Sequence, residues 1–79
     1  MTREEITEKI IEFAALAFEK DAAKITEDTD IAEELGVQSK QRIAMAASME
    51  NEFDVMIPVA RFGNYKTIAD LVDFVMDEM

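Results

Sequence analysis

Ser39 is the residue of this chain best placed to do chemistry, because it opens a long helical run directly after Leu35-Gly36-Val37-Gln38. Gly36 permits a turn that a residue with a β-carbon resists, and Ser39 falls where a helix N-cap belongs. A hydroxyl there is suited to carry a phosphate. The unpaired N–H groups of the first turn and the positive end of the helix dipole both favour an anion. Read locally, Ser39 is either a plain cap or the point at which a phosphate-linked group is attached. Lys40 and Arg42 follow it, in a first turn where cations oppose the dipole by about 0.3–1 kcal/mol each. A phosphodiester on Ser39 would make them favourable, because both pair well with phosphate. Solvated surface charge is the plainer reading of the two.

Other chemistries are poorly served. The chain has no cysteine and no histidine, so it lacks a thiol nucleophile, a base titrating near neutral pH and the commonest metal ligand. The carboxylates Glu27, Asp28, Asp30, Glu33 and Glu34 suggest calcium, but the spacing is wrong. Counted from Asp28, an EF-hand loop needs Gly at the sixth position and Glu at the twelfth, where this chain has Glu33 and Ser39. No metal site is expected, no paired-carboxylate hydrolysis, and no catalytic residue.

Seventy-nine residues make one domain, 1–79, with a single core. With 49% apolar and 33% charged residues, the composition is that of a folded chain. Eighteen acids against eight bases give a net charge of −10, which repels nucleic acid and anionic membrane surfaces. Eleven of the acids fall in residues 1–35, whereas residues 36–53 balance Glu50 and Glu52 against Lys40 and Arg42. No apolar run reaches the roughly 18 residues of a membrane helix, and the N-terminus resembles neither a signal nor a transit sequence. A cytoplasmic monomer without membrane insertion is expected.

The elements that must position Ser39 are helical. Thr2 and Glu5 have the spacing of a capping box, and Ile6, Ile10, Phe13, Ala14 and Ala17 then recur at helical intervals, predicting a helix over about 3–19. A long loop covers Asp21 to Asp30, anchored by Ile25, and Ile31 to Leu35 form one short turn ended by Gly36. A second helix runs from about Ser39 to Phe53, with Met45, Ala46, Met49 and Phe53 facing the core and Ile43 and Ala47 on another side. Asp54 to Pro58 read as extended, Val59 to Asn64 as a short turn. Thr67 with Asp70 caps a last helix to about 78, whose apolar face is Ile68, Leu71, Val72, Val75 and Met76. The expected fold is all-α: a small four-helix bundle of three main helices, one short helix and a long first loop.

With this layout the chain resembles the acyl carrier protein family over nearly its whole length. Ile31-Ala-Glu-Glu-Leu-Gly-Val-Gln-Ser39 looks like the stretch leading to that family's modified serine. Glu52-Phe53 with Ile57-Pro58 looks like its E-F-x-x-x-I-P segment, and Thr67-Ile68-Ala69-Asp70-Leu71 like the start of its final helix. The resemblance implies a freestanding carrier, not an enzyme. A phosphopantetheinyl transferase would esterify Ser39 with 4′-phosphopantetheine from coenzyme A. The terminal thiol would then hold an acyl-type intermediate, of fatty acid or polyketide synthesis for example, as a thioester for acyl-loading and acyl-processing enzymes. Docking of these partners would fall to Gln38, Lys40, Arg42, Ile43 and Ala47, while Met45, Ala46 and Met49 are either core or shelter for an acyl chain. The chain departs from the family at the serine, where the usual D-S-L is Gln38-Ser39-Lys40, and its docking helix is neutral in place of acidic. The alternative is an unmodified helical domain of carrier descent that serves as a protein-interaction module.

Overall fold

Two reciprocal caps set the start of the first and last helices. In the computed structural model, which describes the backbone of residues 1–79 and every side chain but that of Val59, the Thr2 hydroxyl accepts the Glu5 N–H while the Glu5 carboxylate accepts the Thr2 N–H. Helix α1 follows over Arg3–Phe18. Thr67 and Asp70 repeat the arrangement ahead of α4, Ile68–Glu78. Between them lie α2, Ser39–Phe53, and the single turn α3, Val59–Phe62. This is the expected all-α bundle. Among the described residues, no helix is long and apolar enough to cross a membrane.

Helix α1 packs against both α2 and α4, and α2 against α3. The core takes Ile6, Ile10 and Ala14 from α1, Met45, Ala46, Met49 and Phe53 from α2, Phe62 from α3, and Ile68, Leu71, Val72 and Val75 from α4. Met45, Ala46 and Met49 are therefore packed core in this structure. Phe13 and Ala17, expected in that core, are only half-buried, and Phe18 is buried in their stead. Phe13 still meets Phe53 edge-on, with ring centroids 6.3 Å apart. Met76, also expected inside, is 42% exposed and lies at the rim of the bundle, where its sulfur is 3.7 Å from the Arg3 guanidinium.

The long loop is held by backbone bonds. Ile31 donates to the Lys66 carbonyl at 2.8 Å, Ile68 to Thr29 at 3.3 Å and Ala69 to Glu27 at 2.9 Å, which lays the loop along the entry to α4. Ile25 anchors it in the core as expected. Within the loop, Ala22–Lys24 form a 3-10 turn capped by the Asp21 carboxylate. Arg3 closes the same region from outside, donating to Asp73 at 2.7 Å and Glu27 at 2.9 Å. All three side chains stay substantially exposed, so these ion pairs orient the loop more than they stabilise it.

Candidate functional site

The approach to Ser39 is built by one wide helical turn and a glycine. Residues Ile31–Leu35 form a π-type turn closed by the Gly36 N–H on the Ile31 carbonyl at 2.8 Å. Ile31 and Leu35 point inward, and Asp30 and Glu34 lock the start: Glu33 N–H donates to the Asp30 carboxylate at 2.9 Å and Asp30 N–H to Glu34 at 2.7 Å. Gly36 then takes φ +150° and ψ 172°, a combination that side-chain-bearing residues avoid. The chain thereby leaves the core, and Val37, Gln38, Ser39 and Lys40 are all exposed.

Ser39 is not the helix cap. Gln38, with extended backbone at φ −70° and ψ 126°, holds the N-cap position, and Ser39 is already the first helical residue. A residue with helical dihedrals cannot fold its short side chain back onto the N–H groups of the next turn as a cap does. Gln38 makes no side-chain capping bond, so the first N–H groups of α2 remain without a side-chain acceptor. Among the described residues the Ser39 hydroxyl enters no hydrogen bond. The displacement by one residue frees the hydroxyl that a capping role would have occupied.

The first turn of α2 carries no acid and two cations, which differ in surroundings. Lys40 is exposed, as expected of a surface charge. Arg42 is not: it is half-buried, its guanidinium lies over the Phe62 ring at 5.8 Å from the centroid, and its Nε is buried with no partner among the described residues. Reading the sequence as a row of solvated charges missed this, because Phe62 lies twenty positions on and no local spacing links the two. Ile43 is 51% exposed and Ala47 is exposed, which agrees with their placement off the core face. Gln38, Lys40, Ile43 and Ala47 thus share an open surface with Ser39, and Arg42 lies at its edge, turned toward α3.

This geometry fits a phosphate-linked arm. The hydroxyl is accessible and unbonded, free N–H groups of a fifteen-residue helix lie beside it, and a lysine is its immediate neighbour. Among the described residues no group of acids, histidines or cysteines is arranged to hold a metal.

The sequence profile of a family described as a phosphopantetheine attachment site matches residues 8–75 of the chain. Relatives named acyl carrier protein are similar over nearly its whole length. That of Thermosynechococcus vestitus is 29% identical over 79 residues, covering 100% of this chain and 98% of its own. That of onion yellows phytoplasma is 33% identical over 70 residues, covering 89% and 92%. That of Lactobacillus acidophilus is 33% identical over 75 residues, covering 95% and 94%.

Proposed function

The chain belongs to the phosphopantetheine attachment-site family, with acyl carrier proteins as its relatives, and on that premise we propose that it carries acyl-type groups on 4′-phosphopantetheine esterified to Ser39. The observation that supports Ser39 most directly is its exposed, unbonded hydroxyl at the head of α2. Attachment needs a serine oxygen that a separate transferase can reach. The oxygen gives up its proton and forms a phosphodiester with the phosphopantetheine moiety of coenzyme A, and the nucleotide 3′,5′-bisphosphate leaves. When bound, the group supplies a thiol on which an acyl cargo travels as a thioester, chemistry the chain has no cysteine to perform.

The protein's own residues have three tasks in this reading. Gly36 turns the chain outward so that Ser39 stands clear of the core. The first turn of α2 offers unpaired N–H groups, and Lys40 a charge, to a phosphodiester. The bundle holds that turn at its surface while partner enzymes, a transferase and those that load and process the acyl group, carry out the catalysis.

Incubation with a phosphopantetheinyl transferase and coenzyme A, followed by intact-mass measurement, tests the reading. One phosphopantetheine should be gained, and none by Ser39→Ala. An unchanged mass, under conditions that modify a control carrier fully, would overturn it in favour of an unmodified interaction domain.

A further inference from the structure

A hollow of about 330 Å³ opens where the end of α1 meets the head of α2, lined by Ala17, Glu19, Gln38, Lys40, Gln41 and Ala44. Ser39 stands between two of these residues in the chain. The lining is of mixed character. The Glu19 carboxylate accepts hydrogen bonds, the Lys40 ammonium donates them, and the two glutamine amides do both. Among the described residues Gln38 makes no capping bond, and neither Glu19 nor Lys40 enters an ion pair. Gln41 is half-buried. Its Oε1 lies 3.4 Å from the point where a β-carbon on Gly36 would stand, so the glycine leaves room for that amide. Ala17 and Ala44 add small apolar patches to the lining.

We propose that this hollow between α1 and α2 is the resting site of the phosphopantetheine arm, held there through the arm's two amides and its hydroxyl. The proposal rests on the carrier reading, which puts the arm on Ser39. Beyond its phosphate the arm is uncharged, with a pair of methyl groups, a hydroxyl and two amides ahead of the thiol. The mixed lining selects that chemistry. A free anion would meet the Glu19 carboxylate and a free cation the Lys40 ammonium, whereas a neutral chain of donors and acceptors satisfies both. The glutamine amides match the arm's amides donor to acceptor, the methyl pair covers the alanines, and Lys40 stays beside the phosphodiester. The neighbouring exposed residues Ile43 and Ala47 offer the amides no partner. Neutral hydrogen bonds at a wet surface add little each, so a partner enzyme can draw the arm out again.

NMR spectra of the full-length ¹⁵N,¹³C-labelled chain, before and after complete modification by the transferase, test this. Modification should shift the side-chain NH₂ signals of Gln38 and Gln41 and the backbone signals of Ala17 and Glu19. Those last two belong to α1 and its C-cap, so attachment alone does not reach them through the chain. The arm's methyl groups should show nuclear Overhauser contacts to the methyls of Ala17 and Ala44. Gln41→Ala keeps a helix-forming residue and removes one amide. It should lower the ratio of docked to free arm about two- to tenfold, read from the shifts at Ala17 and Glu19. Both chains are compared at full mass gain, and circular dichroism verifies the variant's fold. Shifts confined to the residues next to Ser39 overturn the proposal. So do methyl contacts to Ile43, Ala47 or Phe62, or an unchanged response in Gln41→Ala. A modified chain that gives any of these results defeats the resting site alone. A chain that gains no mass defeats the carrier reading and this proposal with it.

Discussion

Arg42 covers Phe62. Its guanidinium sits 5.8 Å from the centroid of a ring that is itself fully buried, and this cation–π contact ties the single turn α3 to α2. Such a contact contributes about 0.5–2 kcal/mol, and the arginine stem adds apolar cover. The same side chain has a buried Nε that finds no partner among the described residues, which is a cost of its position. Arg42→Ala should therefore lower stability to urea by about 1–2 kcal/mol through loss of ring and stem contact. Arg42→Met keeps the stem and removes the orphan N–H, so it should stay within about 1 kcal/mol of the parent. Equal losses in both variants would show that the stem packing is irrelevant.

Gly36 makes the left-handed turn three residues ahead of the exposed Ser39. At φ +150° a β-carbon is strained by the backbone alone, and it would also stand 3.4 Å from the Gln41 Oε1 and 3.6 Å from the Phe18 ring. Gly36→Ala should cost about 1–3 kcal/mol in urea unfolding. It should also slow arm transfer to Ser39 beyond what the lost stability explains, because the turn no longer presents the serine in one geometry. Transfer at the parent rate would separate the glycine from the site.

Acid lability should trace in part to Glu5. The Thr2 N–H and hydroxyl around its carboxylate hold its pKa below the ordinary value. A carboxyl depressed on folding contributes stability that is present above its unfolded pKa and disappears as pH falls through the folded one. Glu5→Gln preserves a capping-box side chain but not the charge. Urea midpoints across a pH series should show the variant below the parent at neutral pH, with the difference closing in acid. A difference that persists or widens at low pH would contradict this.

Salt should stabilise the fold. The chain repels itself at −10, and the ion pairs among its described residues, Arg3 with Glu27 and Asp73 and Lys9 with Glu52, are exposed and weak. Screening of the acids in residues 1–35 outweighs the loss of those pairs, since the Debye length shrinks to about 10 Å at 0.1 M. The melting temperature should rise with sodium chloride from low to moderate concentration. A flat or falling response would mean that the pairs matter more than the repulsion.

Local order determined what the sequence could disclose. Capping boxes act across three residues, so Thr2 with Glu5 and Thr67 with Asp70 marked two helix starts directly. The inward side of α2 was legible from the interval between Met45, Met49 and Phe53. Gly36 followed by Ser39 flagged the candidate site, and the motifs around them its family, because the need for a turn and an open hydroxyl is written in residue type.

The tertiary structure decided whatever depends on partners distant in the chain. That Arg42 lies on Phe62 while Lys40 stays exposed follows from where α3 lands, and the buried Phe18 ring lies against the chain at Gly36. Arg3 reaches Asp73 only because α1 and α4 pack together. The release of the Ser39 hydroxyl was equally a matter of geometry, since one residue's difference in backbone dihedrals made Gln38 the cap. Periodicity records which face of a helix is apolar, but the meeting of side chains from two helices is fixed only when packing brings those helices together.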